Sequence, residues 1–197
     1  NVIEENERLK VELEKYKSLE LNVEFLKDEN KNLQKILETE YFNQNLSNII
    51  LAKVLVDKNS PFLKSVIINK GTRVGVLKGM PVTKDNYLVG RIVETNYLSS
   101  RVLLLNDLNS RIPVTLDQGA QAILSGSGSS EPILEYLPED YEVSEAINVF
   151  ASGKDGIFAP GTPIGKTNED GEVELFVDPN QLSFVTVNLN IQSKGNL

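Results

Sequence analysis

Few residues of this chain could do catalytic chemistry, because it contains no histidine, no cysteine and no tryptophan. Imidazole and thiolate groups, the usual general bases, nucleophiles and zinc ligands, are therefore absent from the chain. A lysine can activate a serine instead, but no serine here has a lysine three positions later, as the Ser-x-x-Lys signature requires. The run Ser152-Gly153-Lys154 is typical of a turn. The sequence thus gives no support to nucleophilic catalysis.

Three other polar segments have residues that elsewhere hold phosphate, hold metal or work as a carboxylate pair. Residues 125–130, rich in Ser and Gly, lack the lysine and the strand-to-helix context of a phosphate loop, so we predict a flexible hairpin connection. Asp107 and Asn109 begin a calcium-loop spacing, but Arg111 occupies the third ligand position. Residues 139–140, Glu and Asp, lie in a polar loop where solvated charge is the default. We predict no catalytic residue, cofactor, metal ligand or small-molecule substrate.

The overall composition indicates a folded protein that does not bind nucleic acid. Hydrophobic residues make up 40% of the 197 positions, enough for a packed core and for about two compact domains. Twenty Lys and Arg against 28 Asp and Glu give a net charge of −8, the wrong sign for neutralising phosphates over a broad face. No apolar run reaches the roughly 18 residues of a membrane span, and the chain opens without a start methionine or a signal peptide. We interpret it as a segment of a longer protein.

Residues 2–42 contain neither glycine nor proline and are rich in Glu, Lys and Leu, which predicts a long helix. With Val2 at heptad position a, a largely apolar seam runs from Leu9 to Leu37 along positions a and d. Helices gain most of their stability by burying such a face. We predict a parallel dimeric coiled coil over residues 1–47; the alternative is that the seam packs on the chain's own body. The predicted dimer interface consists of Leu9, Tyr16, Leu19, Val23, Leu26, Asn30, Leu33 and Leu37.

Asn30 is the polar residue of the a positions in this seam, and it indicates how the helices align. Two Asn side chains can pair across a parallel two-stranded seam, whereas a shifted register or a larger bundle leaves them unsatisfied. Lys15 at position g also faces Glu20 at position e of the partner, although one exposed pair contributes only about 0.2–1 kcal/mol. We therefore predict that Asn30 fixes the register of a dimer.

After Ser47 the sequence changes to short β-branched runs separated by turn residues, which predicts an all-β body. Glycines at positions 71, 79, 156 and 171 follow a Lys or Asp and are expected to take positive φ angles in turns. Leu88, Val89, Tyr136 and Phe158 are predicted to be core or strand-face residues, with a place in a partner groove as the alternative. The ten predicted strands cover residues 49–56, 65–68, 87–94, 101–105, 111–116, 121–124, 133–137, 147–151, 172–177 and 183–189.

Two segments of the body, residues 75–82 and 156–164, resemble each other, with two glycines around an apolar pair and a proline before a β-branched residue. This pattern predicts a tight reversal that leads into an edge strand, and it fits either two related β units or paired elements of one. We favour a first β-barrel domain formed by residues 48–87 with 152–190 and a second, inserted β-barrel domain formed by residues 88–151. The alternative is two sequential domains, 48–107 and 108–190. Residues 191–197 are predicted to be a flexible tail.

The order of several motifs in this body resembles the rod shape-determining MreC family. Their combination covers roughly residues 51–166, although each motif alone is weak. A departure lies at residues 146–150, Ala-Ile-Asn-Val-Phe, where family members more usually carry a Gly-Asp-x-Val pattern. The motifs are Ala52-Lys53-Val54-Leu55, Ile68-Asn69-Lys70-Gly71, Gly75-Val76, Gly79-Met80-Pro81-Val82, Leu88-Val89-Gly90-Arg91-Ile92, the run from Ser100 to Asp107, Ser152-Gly153, Asp155-Gly156-Ile157-Phe158 and Pro160-Gly161.

The resemblance implies a single-pass cell-membrane protein whose transmembrane helix precedes this segment, with the segment itself on the extracytoplasmic side. It implies two small β-barrels arranged as in trypsin-like proteases but without catalytic residues. It further implies a dimeric scaffold of the cell-wall elongation machinery that binds penicillin-binding proteins and is connected to MreD, RodA and the actin-like MreB.

Two other classes of protein remain as alternatives at this point. A secretion or efflux membrane-fusion adaptor also joins a coiled coil to β domains, but it needs a helical hairpin, and one heptad arm is visible in the sequence. A β-barrel hydrolase that uses Asp or Ser without His would turn over an envelope substrate. The sequence favours a non-enzymatic scaffold over both, with two bodies on one paired helix raising the effective concentration of membrane-confined partners.

Overall fold

The computed structural model describes residues 2–43, 48–55, 64–139, 141, 143, 146–168 and 170–189. The chain divides into two compact units, Asn1–Ser47 and Asn48–Leu197. The predicted C-terminal tail, residues 191–197, lies outside the described residues.

The first unit contains one long helix, α1, which spans Val2–Asn43 and confirms the predicted helical arm. Its 42 residues correspond to about 60 Å at a rise of 1.5 Å per residue. The absence of Gly and Pro lets the helical hydrogen bonds run without interruption. Glu4 and Glu5 in the first turn place negative charge at the positive end of the helix dipole, which stabilises this terminus.

The second unit is all-β, as predicted, apart from two three-residue 3-10 helices at Thr72–Val74 and Asp117–Gly119, and it has twelve strands among the described residues rather than ten. The two additional strands, β3 and β10, each begin with a proline, and β10 also contains Gly165, so neither shows the usual β-branched run. The strands are β1 Ile49–Leu55, β2 Ser65–Ile68, β3 Pro81–Lys84, β4 Tyr87–Thr95, β5 Ser100–Leu104, β6 Arg111–Leu116, β7 Gln121–Ser125, β8 Ile133–Glu135, β9 Asn148–Ala151, β10 Pro163–Thr167, β11 Val173–Leu175 and β12 Phe184–Asn188.

Barrel 1 is a closed sheet with the strand order β1-β12-β3-β4-β5-β2, in which all pairs are antiparallel. Asp85 and Asn86 connect β3 to β4 with positive φ angles of 51° and 69°, which suit a two-residue turn whose twist matches the strands. Its core consists of alternate residues of each strand, so that Ala52, Val102 and Val187 are fully buried. The predicted edge position of β3 is wrong, because β3 lies between β12 and β4.

Barrel 2 is a six-stranded antiparallel sheet with the order β11-β10-β9-β6-β7-β8. Its two outer strands meet at a bridge between Ile133 and Glu172, next to a 2.8 Å hydrogen bond from Val173 N to Pro132 O. We call this junction of β8 and β11 the β8–β11 seam. In β6, the alternation of exposed and buried residues points Ile112, Val114 and Leu116 into the core, which is the period-two pattern of a half-buried strand.

The expected domain ranges differ from this distribution of strands. Barrel 1 takes its strands from residues 49–104 and 184–188, and barrel 2 from residues 111–175. The expected ranges placed most of β4 and all of β5 in the inserted domain, whereas β4 pairs with β3 across a tight turn and β5 pairs with β2. They also placed β10 and β11 with the first barrel, although β10 pairs with β9. The two resembling segments therefore lead into β3 and β10, which belong to different barrels.

The two barrels share core residues. Leu88, on β4 of barrel 1, belongs to the buried cluster of barrel 2, while Val177, just after β11, belongs to that of barrel 1. The rings of Tyr87 and Phe176 also meet, with centroids 5.0 Å apart and planes tilted by 47°. Burying one such aliphatic side chain contributes about 1.5–3 kcal/mol, so the exchange joins the barrels into one folded unit.

The turn glycines divide into two kinds. Gly79, Gly156 and Gly171 have φ angles of 94°, 70° and 78°, which confirms the predicted positive values. The prediction is wrong for Gly71, whose φ is −141° in an extended conformation. A Cβ at Gly71 would lie 2.1 Å from Asn96 O, so this glycine is required by close packing rather than by its backbone angle.

Candidate association surfaces

The a and d positions of α1 form a solvent-exposed apolar stripe in the single chain. Because residues three and four apart share a helix face, positions Leu19, Val23, Leu26 and Leu33 follow one another along it. The described side chains among the predicted interface leucines, valine and tyrosine are 48–62% exposed. The side chain of Leu37 lies outside the described residues. Covering an apolar stripe of this length with a second surface removes it from water and so stabilises the helix.

Asn30 lies on the same face as the hydrophobic stripe and lines a shallow groove on α1 together with Val23, Leu26, Lys27 and Lys31. The helix thus places an amide between apolar positions, with lysine stems at its margin. In this arrangement a partner helix with a matching amide can pair with Asn30 and cover the neighbouring apolar side chains. Register selection by Asn30 stays a prediction.

Four further apolar side chains of α1 lie outside the a and d positions and were not singled out from the sequence. Val11, Leu13, Leu21 and Phe25 occupy positions c, e, f and c of the same heptad frame and are all exposed. Leu21 and Phe25, each 67% exposed, are four residues apart and so are neighbours on one face. The i, i+4 spacing was the available signal. Leu21 and Phe25 thus give α1 a second apolar surface that a two-stranded coiled coil would leave uncovered, whereas Leu13 at position e borders the predicted dimer interface.

A groove of about 550 Å³ lies between the two barrels. Pro81, Thr83 and Leu88 line it from barrel 1, and the loop that precedes β10 lines it from barrel 2. The prediction that Leu88 and Phe158 are core residues is confirmed, and both also line this groove. Its lining is uncharged, with Ile49, Asn86, Ile157, Phe158, Ala159, Pro160, Gly161, Thr162, Pro163 and Asn188 as the other contributors.

Asp107, which begins the calcium-like spacing, has a structural role in the connection between the barrels. Its buried carboxylate accepts hydrogen bonds from Lys64 N at 2.7 Å, Asn109 N at 2.7 Å and Asn109 Nδ2 at 3.1 Å. Both oxygens are thus occupied by N–H donors. Arg111 at the third position directs its guanidinium to the carbonyl oxygens of Leu108 and Ser110. The local pattern of Asp and Asn folds into a turn that ties β2 to the β5–β6 connection.

The other polar segments also form connections. In the β7–β8 connection, the Ser127 hydroxyl donates to Glu131 O at 2.7 Å and accepts from Ser129 N at 3.2 Å. In the Ser152-Gly153-Lys154 turn, Lys154 N donates to Ser152 Oγ at 3.3 Å, which confirms the predicted turn. Glu139 is exposed, and Asp140 lies outside the described residues. Within the described part of the chain, no group of three or more acidic side chains has a metal-binding arrangement.

Tyr136 is the predicted core residue that the structure contradicts. It is 82% exposed and has a φ angle of 60°, because the chain turns out of the sheet directly after Glu135 ends β8. Its neighbour in the prediction, Val89, is buried in barrel 1 as expected. An aromatic residue at the end of a three-residue strand gave no local signal for this reversal.

Three carboxylates converge on the outer face of the β8–β11 seam, an arrangement that we did not predict from the sequence. Glu131 lies in the connection before β8, while Glu172 and Glu174 flank Val173 and so point to the side opposite this buried residue. Burial, a hydrogen bond to Glu172 and the charges of Glu172 and Glu174 raise the pKa of Glu131, against an opposing effect of Asn168. The side-chain amide of Asn168 lies within 2.9 Å of Glu131 Oε2 and 3.5 Å of Glu172 Oε2.

The family of the chain follows from its barrel residues. The family model described as "Rod shape-determining protein MreC, barrel core" matches residues 54–188, from β1 through β12. The chain belongs to the MreC family. This confirms the resemblance inferred from the ordered motifs, and the matched range includes both barrels.

Curated MreC relatives extend the similarity into the helix. The cell shape-determining protein MreC of Caulobacter vibrioides is 33% identical over 188 residues, which are 93% of this chain and 54% of that protein. The protein of the same name from Cereibacter sphaeroides is 32% identical over 94% of this chain and 63% of its own length. The chain thus spans about half the length of the curated relatives it matches.

Solved MreC structures have the same fold. MreC from Pseudomonas aeruginosa superposes with a TM-score of 0.63 at 29% identity, over 71% of this chain and 97% of that one. MreC from Listeria monocytogenes gives 0.63 at 29% identity, over 93% and 94%. A chain from the complex between penicillin-binding protein PBP2 and MreC of Helicobacter pylori gives 0.54 at 14% identity, over 72% and 99%, which shows the fold alone. The helix and two six-stranded barrel-like sheets are thus the MreC architecture.

The described part of this MreC family chain contains no helix that combines the length and the apolar character needed to cross a bilayer.

Proposed function

We propose that this chain is a non-catalytic scaffold for cell-wall synthesis that pairs as a parallel homodimer through α1 and presents its barrels to penicillin-binding proteins. The observation that carries the pairing is the exposed apolar stripe of α1, with Asn30 on the same face. The Helicobacter pylori complex of PBP2 with MreC supports the choice of partner class. The family's name connects both to the control of cell shape.

Pairing would give the scaffold two barrel units on one stalk. When two binding modules are linked, the second contact is made at an effective concentration set by the linker, so modest individual contacts reach a useful avidity. Membrane-confined synthases would benefit in the same way, because they are already held in one plane. A dimeric platform therefore needs no deep binding pocket on either barrel unit.

The groove between the barrels is the surface we propose for a synthase segment. Its uncharged lining of proline, leucine and isoleucine with threonine and asparagine at the rim suits an extended peptide, whose backbone groups need polar partners and whose side chains need apolar ones. Thr162 Oγ1 donates to Ala159 O at 2.7 Å, which stabilises the loop that forms one wall. A wall held in place lowers the ordering cost of binding.

The remaining parts of the proposal concern the protein as a whole. A transmembrane helix before this segment would anchor the scaffold to the cell membrane, with the barrels on the extracytoplasmic side. There it would meet the membrane proteins MreD and RodA, and through them the MreB-linked complex. These partners follow from the family resemblance and need tests on the full-length protein.

The proposal is tested by binding of the purified chain to the transpeptidase domain of the elongation penicillin-binding protein from the same organism. We expect residues 48–197 to retain the contact with reduced avidity and residues 1–47 to have none. Asn86→Arg and Thr162→Arg at the groove rim should weaken binding, whereas Asn180→Arg, an exposed position outside the lining, should not. Binding by residues 1–47 alone would refute the barrel assignment, and equal binding by all three variants would refute the groove.

A membrane-fusion adaptor is the competing function, and it makes a different structural demand. Such adaptors join their β domains through a helical hairpin, whereas α1 is a single helix in the described residues. No observation in the barrels favours the adaptor or a hydrolase over the scaffold.

A further inference from the structure

One end of barrel 1 carries an apolar protrusion, the β4–β5 tip, formed by residues 96–99. The tip is closed by a hydrogen bond of 2.8 Å from Asn96 N to Ser99 O. Tyr97 and Leu98 occupy its summit and are 65% and 55% exposed. Two consecutive large apolar side chains at a hairpin summit have no local neighbours to cover them, and exposed apolar patches of this kind mark contact surfaces.

The tip is held in a fixed position by the segment that follows β2. Thr72 N donates to Asn96 O at 2.9 Å, and Arg73 N donates to Tyr97 O at 3.1 Å. Gly71 packs so closely beneath the tip that a Cβ there would lie 2.7 Å from Tyr97 O. A hairpin end that was merely solvent-exposed would not require this packing. The apolar pair is therefore presented by a rigid base.

The segment that supports the tip is also positively charged. Residues 70–79 contain Lys70, Arg73 and Lys78 and no carboxylate, in a chain whose net charge is −8. Arg73 and Lys78 are exposed. The carboxylate nearest along β4 is Glu94, which is paired with Arg101 at 3.3 Å. Arg73 thus adjoins the tip, and the exposed Lys78 lies farther along the same segment, beside the middle of β4, where Gly79 N donates to Ile92 O at 2.8 Å.

The shape of this surface distinguishes between possible occupants. Barrel 1 is closed, and β4 and β5 pair up to Thr95 and Ser100, so no strand edge is open at the tip for an added peptide. Two exposed apolar side chains stand at this hairpin end, and a protein partner would need a pocket that matches them. A lipid interface needs none, because headgroups part around an inserted side chain. Tyrosine is enriched at membrane interfaces, and Lys and Arg on the same side of a domain are attracted to anionic headgroups, so this surface suits an anionic bilayer.

We propose that the β4–β5 tip of barrel 1 docks on an anionic lipid surface, with Tyr97 and Leu98 inserted among the headgroups and Arg73 and Lys78 bound to lipid phosphates. The contact is reversible, because a single tip buries little apolar area and the charges act only within a Debye length. It is independent of the pairing of α1 and of binding to synthases. It gives each barrel unit its own means of staying at a membrane surface.

The absence of tryptophan allows a direct test of insertion. A Tyr97→Trp variant of the 197-residue chain is mixed with vesicles of phosphatidylcholine and phosphatidylglycerol or of phosphatidylcholine alone. We expect the indole emission to shift to shorter wavelength with the anionic vesicles and the shift to disappear at high salt. Tyr136→Trp is the matched control, since this side chain is exposed on barrel 2, and its emission should not change.

Co-sedimentation of the otherwise unchanged chain tests the charges. Arg73→Ser with Lys78→Ser should lower the partition onto anionic vesicles roughly 25-fold, because each cation near such a surface contributes about fivefold. Lys84→Ser with Lys154→Ser, which removes the same charge elsewhere, should leave it unchanged, and circular dichroism checks that all variants fold. The proposal is overturned by no vesicle binding, by equal losses in the two double variants, or by an unshifted emission at position 97. Capture by an acidic protein surface without vesicle binding would assign the tip to a protein partner instead.

Discussion

The side-chain amide of Asn168 donates a hydrogen bond of 2.9 Å to Glu131 Oε2 and thereby connects the end of β10 to the segment before β8. The same amide lies 3.5 Å from Glu172 Oε2, so it stands between two carboxylates. Burial and these neighbours raise the pKa of Glu131. Lys166 lies opposite Glu174 on β10, Glu135 lies two residues beyond Ile133 on β8, and Asp170 lies in the β10–β11 turn.

This cluster predicts a pH dependence of the stability of barrel 2. A carboxyl group with a raised folded-state pKa binds more protons in the folded chain than in the unfolded one. Its contribution is therefore fully present below the ordinary value of 4.5 and is lost as the pH rises through the raised value. We expect Glu131→Gln to gain thermal stability relative to the unsubstituted chain as the pH increases from acid to neutral.

Melting temperatures of both chains across that pH range provide the measurement. Glu139→Gln serves as the control, because this exposed carboxylate lies outside the β8–β11 seam. Its curve should be parallel to that of the unsubstituted chain. If the curve of Glu131→Gln is also parallel, Glu131 in the β8–β11 seam does not bind protons more tightly in the folded chain than in the unfolded one.

The β8–β11 seam also shows which parts of the fold the sequence could not predict. Short β-branched runs predicted the bounds of β2 and β6 to the residue, because such a run and its flanking turn residues are local features of the sequence. The distribution of strands between barrels depends instead on pairs such as Ile49 with Asn188, which are far apart in the chain. No local pattern encodes such a pair. The convergence of Glu131, Asn168 and Glu172 is a consequence of the same long-range pairing.

The base of the β4–β5 tip predicts a steric requirement at Gly71. Its φ of −141° suits any residue, but a Cβ would lie 2.1 Å from Asn96 O. We expect Gly71→Ala to cost about 3 kcal/mol, because backbone atoms of the β4–β5 tip must move. Gly79→Ala has open space but a φ of 94°, so it should cost only about 1 kcal/mol. Urea denaturation curves compare the two, and an equal or smaller loss at Gly71 would contradict the packing argument.

Gly71 and Gly79 illustrate the limit of turn chemistry read from sequence. Both glycines follow a lysine in a predicted turn, so the sequence predicted a positive φ angle for both. The difference arises because the β4–β5 tip lies against one of them and not the other. In the candidate sites the same division holds. The heptad pattern predicted the seam of α1, whereas the groove and the β4–β5 tip depend on segments that only folding brings together.

The buried Asp107 predicts a large stability cost at the connection between the barrels. Its carboxylate accepts from two backbone N–H groups at 2.7 Å, and Asp107→Ala would leave those donors without an acceptor inside the protein. We expect a loss of about 3 kcal/mol. Asp178→Ala removes an exposed turn bond to Asn180 N of similar length, 2.8 Å, and should cost about 1 kcal/mol. Denaturant unfolding measures both, and comparable losses would show that Asp107 is not a structural centre.

The proposed pairing of α1 predicts different effects of two matched substitutions on its surface. Leu26 lies at position d of the seam, and Leu21, also exposed, lies at position f on another face. Leu26→Glu places a charge in the paired seam and should convert the dimer to a monomer, whereas Leu21→Glu should leave the dimer intact. Molar mass by light scattering distinguishes these outcomes over a range of protein concentrations.

Asn30 decides whether the pairing is a specific two-stranded coiled coil. Asn30→Leu removes the amide that disfavours other registers and larger bundles, so the dimer should give way to a trimer or a mixture while its thermal stability rises. The seam on either side of Asn30 is otherwise unchanged, which makes the expected change one of specificity rather than of folding. Light scattering reports the mass, and circular dichroism the helix stability. A monomer for both the unsubstituted chain and Asn30→Leu would remove the dimeric platform, while an unchanged dimer would remove the role of Asn30 in choosing it.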